Sequence, residues 1–412
     1  MELGEMILVS VDDHVVEPPS MAEFMRDRVP ARFRDRVPHV IERADGTQAW
    51  LIEGQEVSTF GLNASAGRVP KEWGVGANSY DHVREGCFDV HQRVRDMNAN
   101  GVLASMNFSS WPGISGQYFA TREADRDYVE AITRAYNDWH LEEWCAAYPG
   151  RFIPLGLSGF MLGAEWMAGE IRRLADKGCH AVSQHSDTWR WGMPDLQGDE
   201  WDPAWQACEE TGTVMVYHFG GMPSVGPRAH IDIVAHVMPA GTAVFASELV
   251  WSPYMRKFPN VKIGLAEAGI GWIPNWLERL DHVYVTNPWR WSENSFGDRL
   301  PSEVWNGRVL CCFIEDNAGL KLRDDIGVDN LAWECDYPHP DTTWPRSPEN
   351  VMEQFTRAGC RDDEIHKITW ENACRFYQHD PFAHLARDRA TVAALRALAT
   401  DVDTTPRSFA TA

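Results

Sequence analysis

The chain has 412 residues, enough for one large α/β domain with insertions or for two ordinary domains. Hydrophobic residues make up 44% and aromatic residues 11%, which indicates a well-filled core, and the formal charge of −22 excludes nucleic acid and anionic membrane as natural partners. No stretch approaches the roughly 20 apolar residues of a membrane span, and Met1 to Met6 carries two glutamates and no basic residue, unlike a secretory signal.

The run Ile7-Leu8-Val9-Ser10-Val11-Asp12-Asp13-His14 opens the regular structure. In a strand, side chains alternate between faces, so Asp12 and His14 point one way and Asp13 the other. An acid and an imidazole on one face at a strand's end are the start of a metal site, or simply a polar turn. Glu17-Pro18-Pro19 then breaks the pattern, and residues 20 to about 85 read as an irregular insertion with one hairpin over Gln48 to Val57. Val90, Val94 and Met97 mark a helix closed by Gly101, and residues 102–108 read as a strand.

The alternation continues with a helix over 122–147, a short strand at 152–155, a helix over 164–177 and a strand over 180–185. A helix over 202–211, a strand over 214–218, helices over 230–257 and a strand over 261–267 follow. A helix over 272–285 leads into a Trp-containing insertion at 286–306. Strands at 309–314 and 330–336 complete the count, with helices near 317–324 and over 349–377. Eight strands separated by helices predict a parallel sheet and a (β/α)8 TIM barrel spanning 1–385, with a helical tail over 386–412 that packs on a partner subunit or is disordered. The nine cysteines form no Cys-x-x-Cys pair, and Cys311 and Cys312 sit in an apolar run, so a reduced, cytoplasmic protein is expected. The 19 tryptophans suit a large apolar pocket, or core and subunit contacts; a homo-oligomer is expected.

Chemistry in such barrels gathers at the strands' C-terminal ends. Asp12 and His14 stand at the end of strand 1, His185 at strand 4, His218 at strand 5, Glu267 at strand 6 and Asp336 at strand 8. Each alone could be a cap or a core polar group; together they predict a metal centre. Glu334 shares a strand face with Asp336 and is placed to orient a ligand. Trp111 and Trp344 follow strand ends and are placed to wall the pocket. His339 has three roles open to it: ligand, donor to a ligand, or loop histidine. Arg68 and Lys71 could meet a substrate carboxylate, but read as ordinary surface charge.

The sequence resembles the amidohydrolase superfamily, in the branch of aminocarboxymuconate semialdehyde decarboxylase and the resorcylate decarboxylases. The carriers are Ser10-Val11-Asp12-Asp13-His14, Val216-Tyr217-His218-Phe219-Gly220, the run from Phe258 to Ile263, the run from Gly269 to Pro274, and Cys335-Asp336-Tyr337-Pro338. The resemblance implies that Asp12, His14, His218 and Asp336 ligate metal. This chain has Glu267 where those decarboxylases carry a histidine. It also has no counterpart of the superfamily's carbamylated lysine on strand 4; Lys177 precedes that strand, and His185 stands at its end.

Three carboxylates around one divalent ion leave an excess negative charge, whereas two ions leave a positive one that a bridging hydroxide would neutralise. The pattern also resembles the branch's nonheme diiron monooxygenases, including the diterpenoid-hydroxylating type. That implies two Fe ions held by Asp12, His14, His185, His218, Glu267 and Asp336, with dioxygen as co-substrate and a small-molecule carboxylic acid as substrate. The alternatives are nonoxidative decarboxylation with one Zn or Mn, in which Asp336 or Glu267 moves a proton, and hydrolysis of an amide, ester or lactone with Glu267 as general base. In these readings Glu267, Asp336 and His218 are the catalytic candidates. A non-enzymatic scaffold is the remaining class, and the full ligand set argues against it.

Overall fold

Strand β1 (Val9–His14) is buried along its whole length, including its two acids and its histidine. A computed structural model describes residues 1–57, 64–73, 77–120, 125–218, 231–287 and 296–409. The chain divides into two compact units: unit 1 is Met1–Leu162, Glu334–Met352 and His379–Ala412, and unit 2 is Gly163–Trp333 and Glu353–Gln378.

In unit 1, β1, β2 (Ala104–Phe108) and β3 (Phe152–Ile153) form a parallel sheet, with Val9 opposite Ala104 and Ser105 opposite Phe152. In unit 2, β4 (Ala181–Gln184), β5 (Val214–His218), β6 (Ile263–Ala266), β7 (Val309–Phe313) and β8 (Leu331–Trp333) pair in parallel, each with the next. Helices intervene throughout, so the chain order is that of eight β/α repeats.

The first insertion is more regular than expected. It contains helix α1 (Met21–Arg28) and a three-stranded antiparallel sheet of His39–Glu42, Gln48–Ile52 and Gln55–Val57, rather than one hairpin. Helix α2 (Val90–Asn100) starts where the Asp89 carboxylate accepts from Gln92 N–H at 2.9 Å. It ends at Gly101, whose φ of +78° is left-handed and whose missing Cβ would lie 2.9 Å from Val392. Helix α3 (Arg126–Trp139) buries Tyr128, Ile132, Ala135 and Trp139 as expected and runs into a π-helical turn, His140–Cys145. Residues 122–124 of the expected helix lie outside the described residues.

The runs Phe258 to Ile263 and Gly269 to Pro274 of unit 2 have structural duties. Arg308 donates to the carbonyls of Met255 (2.6 Å), Phe258 (2.7 Å) and Val261 (3.2 Å), locking the turn that feeds β6. The Asp316 carboxylate accepts from Ile270 N–H (2.8 Å) and Gly271 N–H (2.6 Å), and a Cβ on Gly271 would meet it at 2.9 Å. Cys311 and Cys312 fill the core, and all nine cysteines are free. Trp50, Trp111, Trp205, Trp305 and Trp333 are among the largest fully buried side chains, so much of the tryptophan content is core. Among the described residues, no helix is long and apolar enough to cross a membrane.

The tail packs on its own chain. Its helix (Val392–Arg396) is tied to the chain's own start through Val392 N–H to Met6 C=O at 2.9 Å, and Arg95 pairs with Asp401 at 3.0 Å. Farther on, Arg407 bonds Gly67 and Val69 through its backbone, and Phe409 N–H donates to Glu72 at 2.9 Å. Arg68, read above as surface charge, is 4% exposed with Glu72 at 3.7 Å, while Lys71 is exposed.

His140 yields a stability test. It is 1% exposed, and neither ring nitrogen has a hydrogen-bond partner among the described residues. Burial lowers its pKa from 6.5 to about 4, so the folded state disfavours the charged ring. Stability from this group is complete above pH 6.5 and is lost as pH falls toward 4, by roughly 3 kcal/mol in all. In chemical denaturation, His140→Leu should therefore lose less stability than wild type between pH 6.5 and 4. Parallel losses in the two proteins would contradict this.

Candidate metal centre

Residues 335–337, which follow β8 in the chain, run alongside β1. Cys335 N–H donates to Ser10 Oγ (2.8 Å), Asp336 N–H to Asp12 C=O (2.8 Å), and His14 N–H to Tyr337 C=O (2.7 Å). This pairing, across more than 320 residues of sequence, makes Asp336 a neighbour of Asp12 and His14. The pairing of β1 with β2 shifts register between Ser10 and Asp13, and Asp13 Oδ1 accepts from Ser10 Oγ (2.9 Å) and Tyr337 N–H (3.2 Å).

His14 Nε2 stands 3.6 Å from Asp12 Oδ1 and 3.4 Å from Asp336 Oδ1. Two ligands each about 2.1 Å from one cation, at angles of about 90–110°, lie about 3.0–3.4 Å apart. His339 Nδ1 is 2.9 Å from Asp336 Oδ1, and its ring lies 4.0 Å from that of His14. Glu334 offers an oxygen within 4.8 Å of Asp12. Asp12, Asp13, His14, Glu334 and Asp336 are all at most 2% exposed.

Such a concentration of buried acid needs positive charge. Burial pushes the Asp13 carboxyl up to about 7 despite Arg93 nearby. Burial, with His339 beside it, lowers His14 to about 4, so its ring is neutral and able to ligate. Burial opposes charge on Asp336 as well, yet His339 and His14 hold its carboxyl well below the usual range. At His339 burial favours the neutral ring, but Asp336 outweighs it and raises the pKa. Asp336 Oδ2 is buried without a hydrogen-bond donor among the described residues. A divalent cation fits this donor set: two carboxylates balance its charge, and a neutral imidazole completes three contacts.

In unit 2, His218 ends β5 opposite Ala266 of β6, and Glu267 follows directly. His218 Nε2 and Glu267 Oε2 are 3.4 Å apart, the histidine side chain 1% and the glutamate 19% exposed. Glu267 (φ +52°) and Asp336 (φ +56°) are two of only four non-glycine residues with positive φ among those described. Backbone strain of this kind, about 1–3 kcal/mol per residue, gathers at functional sites. His185 is engaged with its own loop: Asp187 N–H donates to Nδ1 (3.0 Å) and Trp191 Nε1–H points at Nε2 (3.2 Å). Both ring nitrogens thus face donors, which does not favour the ligand role expected for His185.

Trp111 and Trp344 lie in the body of unit 1. Trp111 stacks on Trp50 at 4.7 Å, and Trp344 donates to Asp96 C=O at 3.1 Å beside the Tyr337 ring. The residues missed by sequence reasoning are Arg93, Asp96 and Tyr337, which surround the backbone of Asp13, His14 and Asp336. Tyr337 was visible inside the Cys-Asp-Tyr-Pro run; the other two look like ordinary helix surface charge.

Comparison with known proteins decides the family, since the family model described as "Amidohydrolase" matches residues 80–378. The chain belongs to the amidohydrolase family. Among solved structures, an amidohydrolase from Mycobacterium avium subsp. paratuberculosis K-10 is similar at 16% identity, with a TM-score of 0.66 over 90% of this chain and 99% of that one. The 5-carboxyvanillate decarboxylase of Sphingomonas paucimobilis is similar at 19% identity, TM-score 0.62, covering 91% and 99%. A dihydroxybenzoic acid decarboxylase from Polaromonas sp. JS666, with bound manganese and 2-nitroresorcinol, is similar at 17% identity, TM-score 0.57, covering 90% and 96%. The fold class of this chain is accordingly the (β/α)8 TIM barrel type, with insertions.

Metal binding is measurable without knowing the substrate. For the chelator-stripped protein, Mn(II) at a hundred times its Kd should stabilise the fold by about 2.7 kcal/mol, seen as a rise in Tm. Asp336→Asn should abolish that rise. An unchanged Tm in wild type, or an equal rise in the variant, would contradict the assignment.

Proposed function

We propose that this protein is a divalent-metal-dependent enzyme that removes a carboxylate from a small aromatic acid without an oxidant. The observation that carries the proposal is the His14 imidazole between two buried carboxylates, Asp12 and Asp336, a set whose charge one divalent ion balances. The similarity to solved structures described as decarboxylases, one with bound manganese, supports it. Asp12, His14 and Asp336 would hold the ion.

When bound, the ion supplies Lewis acidity toward the substrate carboxylate and its neighbouring oxygen. The bond between ring carbon and carboxylate breaks, carbon dioxide leaves, and the electron pair stays on the ring carbon, which takes a proton. Glu267 delivers that proton, being more solvent-reachable than His218. His218, 3.4 Å away, steadies the resulting carboxylate.

One observation favours a second reading. Glu267 adds a third carboxylate where the resembling decarboxylases have histidine, a set better balanced by two ions than by one. Two irons, when bound, would supply dioxygen reduction for hydroxylating a small carboxylic acid, of diterpenoid type for example, with a two-electron donor.

Metal content of protein purified without chelator, measured with carbon dioxide release and dioxygen uptake, separates the readings. Decarboxylation predicts one Mn or Zn per chain and carbon dioxide from a panel of hydroxybenzoates. It also predicts that Glu267→Gln keeps the metal while losing about 10²–10⁴ in kcat. Two irons per chain with dioxygen uptake would overturn it in favour of the second reading.

A further inference from the structure

Tyr337 follows Asp336 and is held at four points. Its N–H donates to Asp13 Oδ1 (3.2 Å), its C=O accepts from His14 N–H (2.7 Å), and its Oη donates to Asp96 Oδ2 (2.7 Å). Its ring lies 4.4 Å from the guanidinium of Arg93. Arg93 and Asp96 are one turn apart on α2, so a single helix face grips both the ring and the hydroxyl.

Arg93 is fully buried, and its other contacts reach the same backbone. Nε donates to Gly86 C=O at 2.6 Å, Nη2 donates to His14 C=O, and Nη1 stands 3.9 Å from Asp13 Oδ2. Asp96 is itself fixed by a bidentate bond from Arg84, at 2.7 Å to each oxygen. Helix α2 therefore contacts the residue between Asp12 and His14 and the residue after Asp336.

The backbone at Asp336 makes this grip consequential. Its φ of +56° is left-handed, a conformation that persists in a non-glycine residue only when its surroundings enforce it. Asp12 C=O holds its N–H from one side, and Tyr337 anchors the chain on the other. Released, Asp336 would return to ordinary φ and carry its carboxylate away from His14.

We propose that Arg93 and Asp96 of α2 act through Tyr337 as positioning residues for the cation site, holding Asp336 in its left-handed conformation beside His14. The proposal rests on the metal-centre reading above and adds to it a set of residues that touch neither metal nor substrate.

The test uses full-length Tyr337→Phe, Arg93→Lys and Arg93→Met. It measures the Mn(II) dissociation constant by electron paramagnetic resonance, the visible spectrum of the Co(II)-loaded protein, and the Tm of the metal-free protein. Tyr337→Phe keeps the ring and loses only the hydroxyl's bonds, to Asp96 and from the Cys87 thiol, so it guards against a misfolded Arg93 variant. The expected result is Mn(II) binding 10–100-fold weaker in Tyr337→Phe and Arg93→Lys, with a shifted Co(II) spectrum. Where Arg93→Met folds, it should bind more weakly than Arg93→Lys. Wild-type affinity and an unchanged Co(II) spectrum in Tyr337→Phe and Arg93→Lys would overturn the proposal, whatever happens to Tm. A wild-type protein that binds neither ion would instead sink the metal-centre reading itself, and this inference with it.

Discussion

Like charge brought out of water is the condition to which the rest of unit 1 answers. Asp12, Asp13, Glu334 and Asp336 are buried near one another, with Arg93 Nη1 3.9 Å from Asp13 and His339 Nδ1 2.9 Å from Asp336. Isolated buried carboxylates take up protons or find a cation. This chain divides the two outcomes. Asp13, turned toward the interior of unit 1, has its pKa raised to about 7 and is bonded by Ser10 and Tyr337. Asp12 and Asp336 instead stand 3.6 and 3.4 Å from His14 Nε2, the spacing that ligands of one shared cation would take.

The placement of strain follows the same division. The left-handed residues Glu267 and Asp336 stand immediately past parallel strands or their continuation, where the chain leaves regular pairing. A residue so placed can aim its side chain across the strand end rather than along it. The stabilisation that tolerates the strain lies elsewhere: in buried hydrophobic strands, in the Asp316 clamp on the loop after Glu267, and in the hold of α2 on Tyr337. Positions at which local preference is violated are where function is expected.

The eight strands were legible because each is a short apolar run bounded by a helix pattern, and their polar ends were legible because a carboxylate or imidazole interrupts such a run. Helix 202–211 was recovered to the residue, and the inward face of α3 was recovered residue by residue. The pairing of residues 335–337 with β1 was not legible, since periodicity carries no information across 320 residues. Arg93 was hidden for a related reason: an arginine on an amphipathic helix normally faces water, and only its acceptors reveal otherwise. The first insertion, rich in Arg, Pro and Gly, concealed α1 and a three-stranded sheet, and the tail's docking on Gly67, Val69 and Glu72 is again long-range. His185, at a strand end, has its ring nitrogens facing N–H groups of its own loop, a local contact that strand periodicity does not show.

The most direct measurement is anomalous X-ray diffraction at the manganese edge from crystals of the full chain grown with Mn(II). The account predicts anomalous density within ordinary bonding distance, about 2.0–2.4 Å, of His14 Nε2 and of an oxygen of Asp336. Density elsewhere, or its absence beside a well-defined His14 and Asp336, would contradict it.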